Sequence, residues 1–283
     1  MSMHCVRRHN FLSLKRRKIF FMMIDNHTHI VNEKIYQEYQ AKAKNKAERI
    51  LAMPLPFQEE EMPSLLALAQ THKDLAPIFI TNFEKPLEPQ LARCEELFAA
   101  GKIFAVKIYP GYQHIYPSDS PVGQFATLCE KFNRPLVFHS GDFYDLRGDA
   151  ILEYSQSIFV DKLAVEHRRC KIVISHFGFP DFLKTAAIVG KNENVYTDIS
   201  GTIANLGSRK EMELLTKQYI EDLRRTFAYY PNVCRKTMFG TDYCGEGTLL
   251  SQYDLYIKTA QEVFPREVSD SVMGGLAKKL YFE

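Results

Sequence analysis

Residues 23–31 read MIDNHTHIV, a stretch that places His27 and His29 two residues apart in a run that starts and ends apolar. Side chains two residues apart lie on the same side of a β-strand, so both imidazoles can face one space while Thr28 faces the other way. Far along the chain, residues 238–245 read MFGTDYCG, where another short apolar run leads to Asp242. If these two runs are neighbouring strands, the two histidines and the aspartate meet.

The strand pattern repeats along the whole chain. Short apolar, β-branched runs alternate with longer segments of helical periodicity. The runs cover residues 20–30, 49–54, 76–81, 104–110, 135–141, 171–178, 194–201 and 237–243. Eight strands alternating with helices predict an α/β fold, a parallel (β/α)8 TIM barrel formed by a single domain. The alternative, a doubly wound open sheet, would place a glycine-rich phosphate loop after the first strand, and residues 25–34 contain no glycine.

Basic residues are concentrated before the first strand. The formal net charge is +2, but residues 1–24 carry six basic residues and no acidic one, which leaves 30 basic against 34 acidic residues in the remainder. That balance disfavours a nucleic-acid surface. We interpret residues 1–21 as an extension outside a barrel domain at 22–283. It is either a solvated tail or the product of a misassigned start codon, and a mitochondrial transit peptide is the minor alternative.

The apolar runs and the cysteines indicate the cellular compartment in which the protein is expected. A secretory signal is disfavoured because the apolar part after the basic residues continues into the His27 strand. No apolar run approaches the roughly 20 residues of a membrane span. The six cysteines form no C-x-x-C pair, which is typical of reduced thiols in a cytoplasmic protein. Cys244 lies close enough to Asp242 to be a candidate nucleophile, although a small structural thiol is the simpler interpretation.

Polar residues occur late in several of the predicted strands, where a doubly buried strand should be apolar. Barrel active sites lie at the carboxyl-terminal mouth of the strands, so these side chains should converge there. Imidazoles together with a carboxylate suit one or two divalent ions, zinc above all, with manganese, iron or nickel as alternatives. The candidate residues are His27, His29, Lys107, His139, His176 and Asp242.

Lys107 is the unusual member of this set, because an ammonium group is repelled by a nearby divalent cation. Three explanations remain open. The amine can be neutral with a lowered pKa. It can pair with a carboxylate or phosphate of the substrate. It can also react with carbon dioxide to form a carbamate that bridges two metal ions.

The stretches VKIYPGYQHIYPSD (106–119), LVFHSGDFYD (136–145) and MFGTDY (238–243), with His-x-His on the first strand, resemble the amidohydrolase superfamily. The branch that they resemble most is the amidohydrolase-related one, over about residues 22–283. The resemblance implies a TIM barrel and a metal-dependent hydrolase. One departure is MGGLAKKLY (273–281) in the last helix, where the branch often has an Asn-Ala step.

The resemblance also implies two ligand sets. With two ions, His27, His29 and Asp242 hold one, and His139 and His176 hold the second, with a carboxylated Lys107 between them. With one ion, His139 joins His27, His29 and Asp242, and His176 polarises the substrate carbonyl. In either case Asp242 accepts a proton from water and delivers it to the leaving group.

We therefore expect a hydrolase that cleaves an amide, ester or lactone bond in a small substrate. A metal-dependent decarboxylase of an aromatic or enol acid is the first alternative. A deoxyribonuclease is less consistent, because such barrels usually have Glu at the position of Lys107. A scaffold protein without activity should have lost ligand residues, and here every candidate position is filled.

The loops after the fourth and fifth strands should define the substrate. They contain Tyr109, Tyr112, Asp142 and Arg147. Tyrosines offer stacking surfaces, and an arginine can clamp a carboxylate, which favours a small cyclic or aromatic acid, lactone or amide. We expect no nucleic-acid or membrane partner, and a homodimer stays an open expectation.

Overall fold

The computed structural model describes residues 23–44, 46–144, 148–205 and 207–283. The predicted extension at 1–21 lies outside the described residues. The β-segments are β1 Met23–Thr28, β2 Ala47–Ala52, β3 Leu75–Pro77, β4 Phe79–Ile80, β5 Val106–Ile108, β6 Leu136–Phe138, β7 Ile172–Ile174, β8 Val195–Asp198 and β9 Thr237–Met238. Each pairs in parallel with the next, β1 through β3 in one sheet and β4 through β9 in the other.

Two junctions join these sheets into a closed barrel. Ile78 alone separates β3 from β4, and its N–H donates to Ala52 O at 2.8 Å, so the two segments are halves of one barrel strand. At the other junction, Thr28 forms a parallel bridge with Tyr243. His29 N also donates to Tyr243 O at 2.8 Å. The predicted eight-stranded (β/α)8 barrel is confirmed.

Helices surround the barrel between the strands. They are α1 Glu33–Ala43, α2 Met62–Thr71, α3 Leu87–Ala99, α4 Ser120–Phe132, α5 Val160–Glu166, α6 Phe182–Lys191, α7 Arg209–Tyr229, α8 Tyr253–Val263, α9 Arg266–Asp270 and α10 Leu276–Tyr281. Local sequence fixes their starts. The Asn32 side chain accepts from Ile35 N at the start of α1, and Ser208 forms a capping box with Glu211 at the start of α7. No helix in these described ranges is long and apolar enough to cross a membrane.

The core has two layers, one between the strands and the helices and one inside the barrel. Successive side chains along each strand alternate between these layers. In β6, Leu136 and Phe138 pack outward against the helices, and Val137 packs inside the barrel. The inner layer also contains Leu280 and Tyr281 of α10. Their carbonyl oxygens accept hydrogen bonds from side chains that precede β7 and β6. Helix α10 therefore covers the amino-terminal end of the barrel and leaves the opposite mouth to the polar residues.

Candidate metal centre

Strand alternation turns two of the predicted residues into the barrel. Lys107 lies between the outward-facing Val106 and Ile108, and His139 follows the outward-facing Phe138. Both side chains are buried, Lys107 at 0% and His139 at 6% exposure. The inner face of the barrel is therefore apolar at its closed end and becomes polar towards the mouth.

The two histidines of β1 reach the same space through an irregularity in the strand. Asp25 pairs with Ile50 and Thr28 with Ala52, so β1 has one more residue than β2 between these positions. This extra residue is a β-bulge, which reverses the alternation that places Ile24 inside the barrel. His27 and His29 consequently face inward, and they lie on the same side of the strand, as their spacing predicts.

Asp242 is the point on which the β1 histidines converge. Its Oδ1 lies 3.0 Å from Nε2 of His29 and 3.3 Å from Nε2 of His27. Asp242 has a positive φ of 60°, and its N–H donates to His27 O at 2.8 Å, which ties the end of the barrel to β1. Burial acts to raise the pKa of Asp242, but His176 and His27 hold that pKa well below its ordinary value. The carboxylate is therefore ionised.

Both ring nitrogens of His29 lie within hydrogen-bond distance of an oxygen atom. Its Nδ1 lies 3.0 Å from Met53 O, and a carbonyl oxygen can only accept. Nδ1 therefore carries a hydrogen, and Nε2 lies 3.0 Å from Oδ1 of the ionised Asp242. Either a proton or a cation can lie between these two atoms, and a ring that donates its Nδ1 hydrogen to a backbone oxygen is oriented to bind a metal ion through Nε2.

His27 is also available as a metal ligand. Burial, and then the charge of Lys107, lower its pKa to about 3, so the ring is neutral. Its Nδ1 faces Asp198 Oδ2 at 3.5 Å, and its Nε2 faces Asp242.

Lys107 lies between these groups and β7. Its Nζ donates to Ser175 Oγ at 2.8 Å and is 3.5 Å from Nε2 of His27. The ammonium also lies 5.1 Å from the centre of the Tyr109 ring. Burial lowers the pKa of Lys107 to about 7, against the opposing charges of Asp198 and Asp242. A sizeable fraction of the amine is therefore neutral near physiological pH.

His176 and His139 complete the cluster. His176 has a positive φ of 61°, which turns its ring to within 4.9 Å of the His27 ring and 5.1 Å of the His139 ring. Burial lowers the pKa of both histidines. Nε2 of His139 is buried without a hydrogen-bond partner among the described residues. Such an atom is costly to bury unless something binds it.

The residues predicted to bind substrate are only partly gathered here. The Tyr112 ring lies 5.1 Å from the His139 ring, and Tyr109 lies beside Lys107. Both hydroxyls donate to backbone oxygens, those of Tyr144 and Pro54. Asp142 is exposed. Arg147 lies outside the described residues.

Asp198 is the main residue that the sequence interpretation missed. It ends β8 on the inner face and is fully buried beside His27 and His176. Its signal was visible, because residues 195–198 form an apolar-to-Asp strand end like the one before Asp242. Cys244, the candidate nucleophile, is only partly buried, but desolvation of its thiol and then the charge of Asp242 raise the pKa well above its ordinary value. A structural thiol fits it better.

The donor set fits a divalent ion. Two groups of side chains have ligand atoms within 4.8 Å of one another: His27 with His29 and Asp242, and His27 with His176 and Asp198. His139 is in neither group, although its ring lies 5.1 Å from the His176 ring. Neutral imidazoles beside an ionised carboxylate are the ligands that zinc and manganese accept.

Fold and site together define a class, the TIM-barrel enzymes with a histidine and aspartate centre at the strand mouth. The family model described as amidohydrolase matches residues 38–282. The chain belongs to this family, which confirms the resemblance seen in its motifs. No curated protein matches the chain.

Solved structures are similar over nearly the whole chain. An amidohydrolase from Burkholderia multivorans with bound zinc has a TM-score of 0.64 at 16% identity, covering 92% of this chain and 99% of that one. A probable 2-pyrone-4,6-dicarboxylic acid hydrolase from Acinetobacter baumannii, with citric acid bound, has the same score and identity over 92% and 98%. A dihydroxybenzoic acid decarboxylase from Polaromonas sp. JS666, with manganese and 2-nitroresorcinol, scores 0.61 at 10% identity over 92% and 97%. These likenesses establish the fold.

Proposed function

We propose that this protein is a metal-dependent hydrolase that cleaves an amide, ester or lactone bond in a small cyclic or carboxylate-bearing substrate. One observation carries the metal dependence. Nε2 of His29 and Nε2 of His27 lie 3.0 and 3.3 Å from the same oxygen, Oδ1 of the ionised Asp242. A single cation satisfies all three atoms.

His27, His29 and Asp242 would hold this ion, and His139 supplies a further nitrogen. Zinc is the expected metal, since the donors are mainly imidazoles, and manganese is the nearest alternative. A divalent ion in this position supplies Lewis acidity, which lowers the pKa of water and polarises a carbonyl group.

The side chains of the chain itself perform the proton transfers. Asp242 is ionised because His176 and His27 hold its pKa well below the ordinary value against the effect of burial. It can therefore accept a proton from the attacking water and return it to the leaving group. The His176 ring lies 4.9 Å from the His27 ring, where its Nε2 can contact the ion or the substrate.

The shape of the mouth supports a flat substrate. Tyr112 lies in ring contact with His139 and with Phe143, at centroid distances of 5.1 and 5.0 Å. With the Tyr112 hydroxyl donated to a backbone oxygen, this wall offers ring faces beside the cluster. Ring faces bind planar or cyclic groups.

Metal content tests the proposal directly. Protein purified without a metal-affinity tag should contain about one or two ions per chain by plasma mass spectrometry, and Asp242→Asn should lose them. Absence of metal from the wild-type protein after incubation with zinc and with manganese would refute the metal dependence.

A variant of Lys107 then separates one ion from two. If a carbamate on this amine bridges two ions, Lys107→Met should lower the content by about one ion per chain. Ser175→Ala is the matched control, because it removes the hydrogen-bond partner of Lys107 and keeps the amine. Unchanged content in both variants would assign Lys107 to the substrate.

A decarboxylase is the second candidate, favoured by the structural similarity to decarboxylases and by the buried amine of Lys107 at the site. Incubation with dihydroxybenzoates and with cyclic lactones distinguishes the two reactions. Release of carbon dioxide supports the decarboxylase, and release of acid from a lactone supports the hydrolase.

We also propose that the partner is a small molecule and that two chains associate as a homodimer. Sedimentation equilibrium tests the second point, and a monomer at micromolar concentration would refute it.

A further inference from the structure

Asp198 lies behind the cluster, beside His27 and His176, and neither ligand set implied by the family resemblance includes it. Its Oδ1 accepts from His176 N at 3.0 Å, from Ser200 N at 3.0 Å and from Ser200 Oγ. Its Oδ2 faces Nδ1 of His27 at 3.5 Å. One buried carboxylate thus contacts two histidines, which lie at the ends of different strands of the barrel.

The contact with His27 selects a tautomer. Both Nδ1 of His27 and Oδ2 of Asp198 are buried and have no other partner among the described residues. A proton on Nδ1 is the arrangement that pairs both atoms, since an ionised carboxylate can only accept. The hydrogen on Nδ1 leaves the lone pair on Nε2, which is the nitrogen that faces Asp242.

The contact with His176 acts through Ser200. The Ser200 hydroxyl has one hydrogen, and it donates this hydrogen to Asp198. Ser200 Oγ must then accept at its second contact, which is Nδ1 of His176 at 3.0 Å. His176 therefore also carries its hydrogen on Nδ1 and presents a lone pair on Nε2.

We propose that Asp198 is a positioning residue that fixes His27 and His176 as Nδ1–H tautomers, so that Nε2 of each ring is available to the ion or the substrate. The value of these tautomers rests on the proposed metal-dependent function, but their existence does not. Outer carboxylates that orient histidine ligands typically change metal affinity by about 10- to 100-fold when they are removed.

A direct role as a metal ligand is less consistent with the contacts. Oδ1 already accepts three hydrogen bonds, and two of them come from backbone N–H groups that cannot turn away. Only Oδ2 remains, and an ion there would displace the Nδ1 hydrogen of His27. Occupation of this position would therefore compete with the pairing that prepares His27 for Asp242.

Histidine ¹⁵N chemical shifts in the metal-free protein test the proposal without any activity. Protein labelled with ¹⁵N-histidine should show His27 and His176 as neutral Nδ1–H tautomers in two-bond ¹H–¹⁵N spectra. In Asp198→Asn the amide can donate to Nδ1 of His27, so we expect His27 to change towards the Nε2–H form. Zinc affinity, measured by competition with a chromophoric chelator, should fall by about 10- to 100-fold.

Asp25→Asn is the matched control. Asp25 is also a fully buried aspartate, in β1, but it accepts from Thr241 N, Thr241 Oγ1, Tyr39 OH and His27 N, and from no imidazole nitrogen of the described residues. It should lower the melting temperature and leave both tautomers unchanged. Equal tautomers in Asp198→Asn and wild type would overturn the proposal. Loss of one ion per chain with unchanged affinity for the other would overturn it too, because Asp198 would then be a ligand. Wild-type protein that shows the tautomers but binds no metal would refute only the proposed function.

Discussion

Gly201 has no side chain, and the His176 ring occupies the space that a side chain would take. Gly201→Ala should therefore be strongly destabilising. Gly201 has φ +74°, and a methyl group there would lie 2.2 Å from Nδ1 and 2.7 Å from Cε1 of His176. An alanine with positive φ costs about 1–2 kcal/mol. Displacing the ring adds about 1–3 kcal/mol for overpacking. It also breaks the 3.0 Å contact with Ser200, for about 1 kcal/mol more.

Gly101→Ala isolates the backbone part of this effect. Gly101 has a similar φ of +63°, but nothing lies within 4 Å of a methyl group added there. Urea unfolding of the metal-free proteins should show Gly101→Ala less stable than wild type by about 1–2 kcal/mol. Gly201→Ala should lose a further 2–4 kcal/mol or so, from ring displacement and the lost hydrogen bond. Equal losses in the two variants would show that the ring has room to move, and the packing argument would be wrong.

Three further results are expected. Asp242→Asn should lower turnover by about 10³-fold or more, because it removes the proton acceptor and also a ligand of the ion, while circular dichroism stays that of the wild type; activity within tenfold of wild type would contradict the role of Asp242. Removal of the ion by a chelator should lower the free energy of unfolding by about 4 kcal/mol, relative to protein in the presence of free ion at 1,000 times its Kd. An unchanged free energy of unfolding would show that no metal site exists. Cys244→Ala should keep turnover within about threefold, because desolvation and then Asp242 raise the pKa of the thiol and keep it protonated; an inactive but folded variant would restore the thiol as a nucleophile.

The barrel could be predicted from the sequence because its strands are buried on both faces and its helices are amphipathic. Short apolar runs therefore alternate along the sequence with longer segments of helical periodicity. The break at Ile78 could not, since residues 76–81 are continuously apolar and the interruption depends on backbone pairing to two different neighbours. The observed strands are also shorter than the predicted runs by a few residues. Residues such as His139 still extend in the direction of the strand after its backbone pairing has ended.

The site was predictable where alternation continues to the mouth. Lys107 and His139 follow from the inner and outer positions of their strands. The inward direction of His27 depends instead on the bulge in β1, and that of His176 on a positive φ, and neither leaves a clear local signal. Asp198 was missed for another reason. A lone aspartate at a strand end has an ordinary explanation as a helix cap, and its two histidine neighbours come from distant segments.

The seam between β1 and the end of the barrel has a consequence for how the protein acquires its centre. His29 and Asp242 are 213 residues apart in sequence, and they meet only where the first strand joins the last. Contacts of such long range form late and slowly, because most of the chain must be ordered before they become favourable. A chain still emerging from the ribosome, or one cut before β9, has no complete centre. An ion bound at this seam stabilises only the closed ring of strands, so metal loading would both report the last step of folding and oppose its reversal.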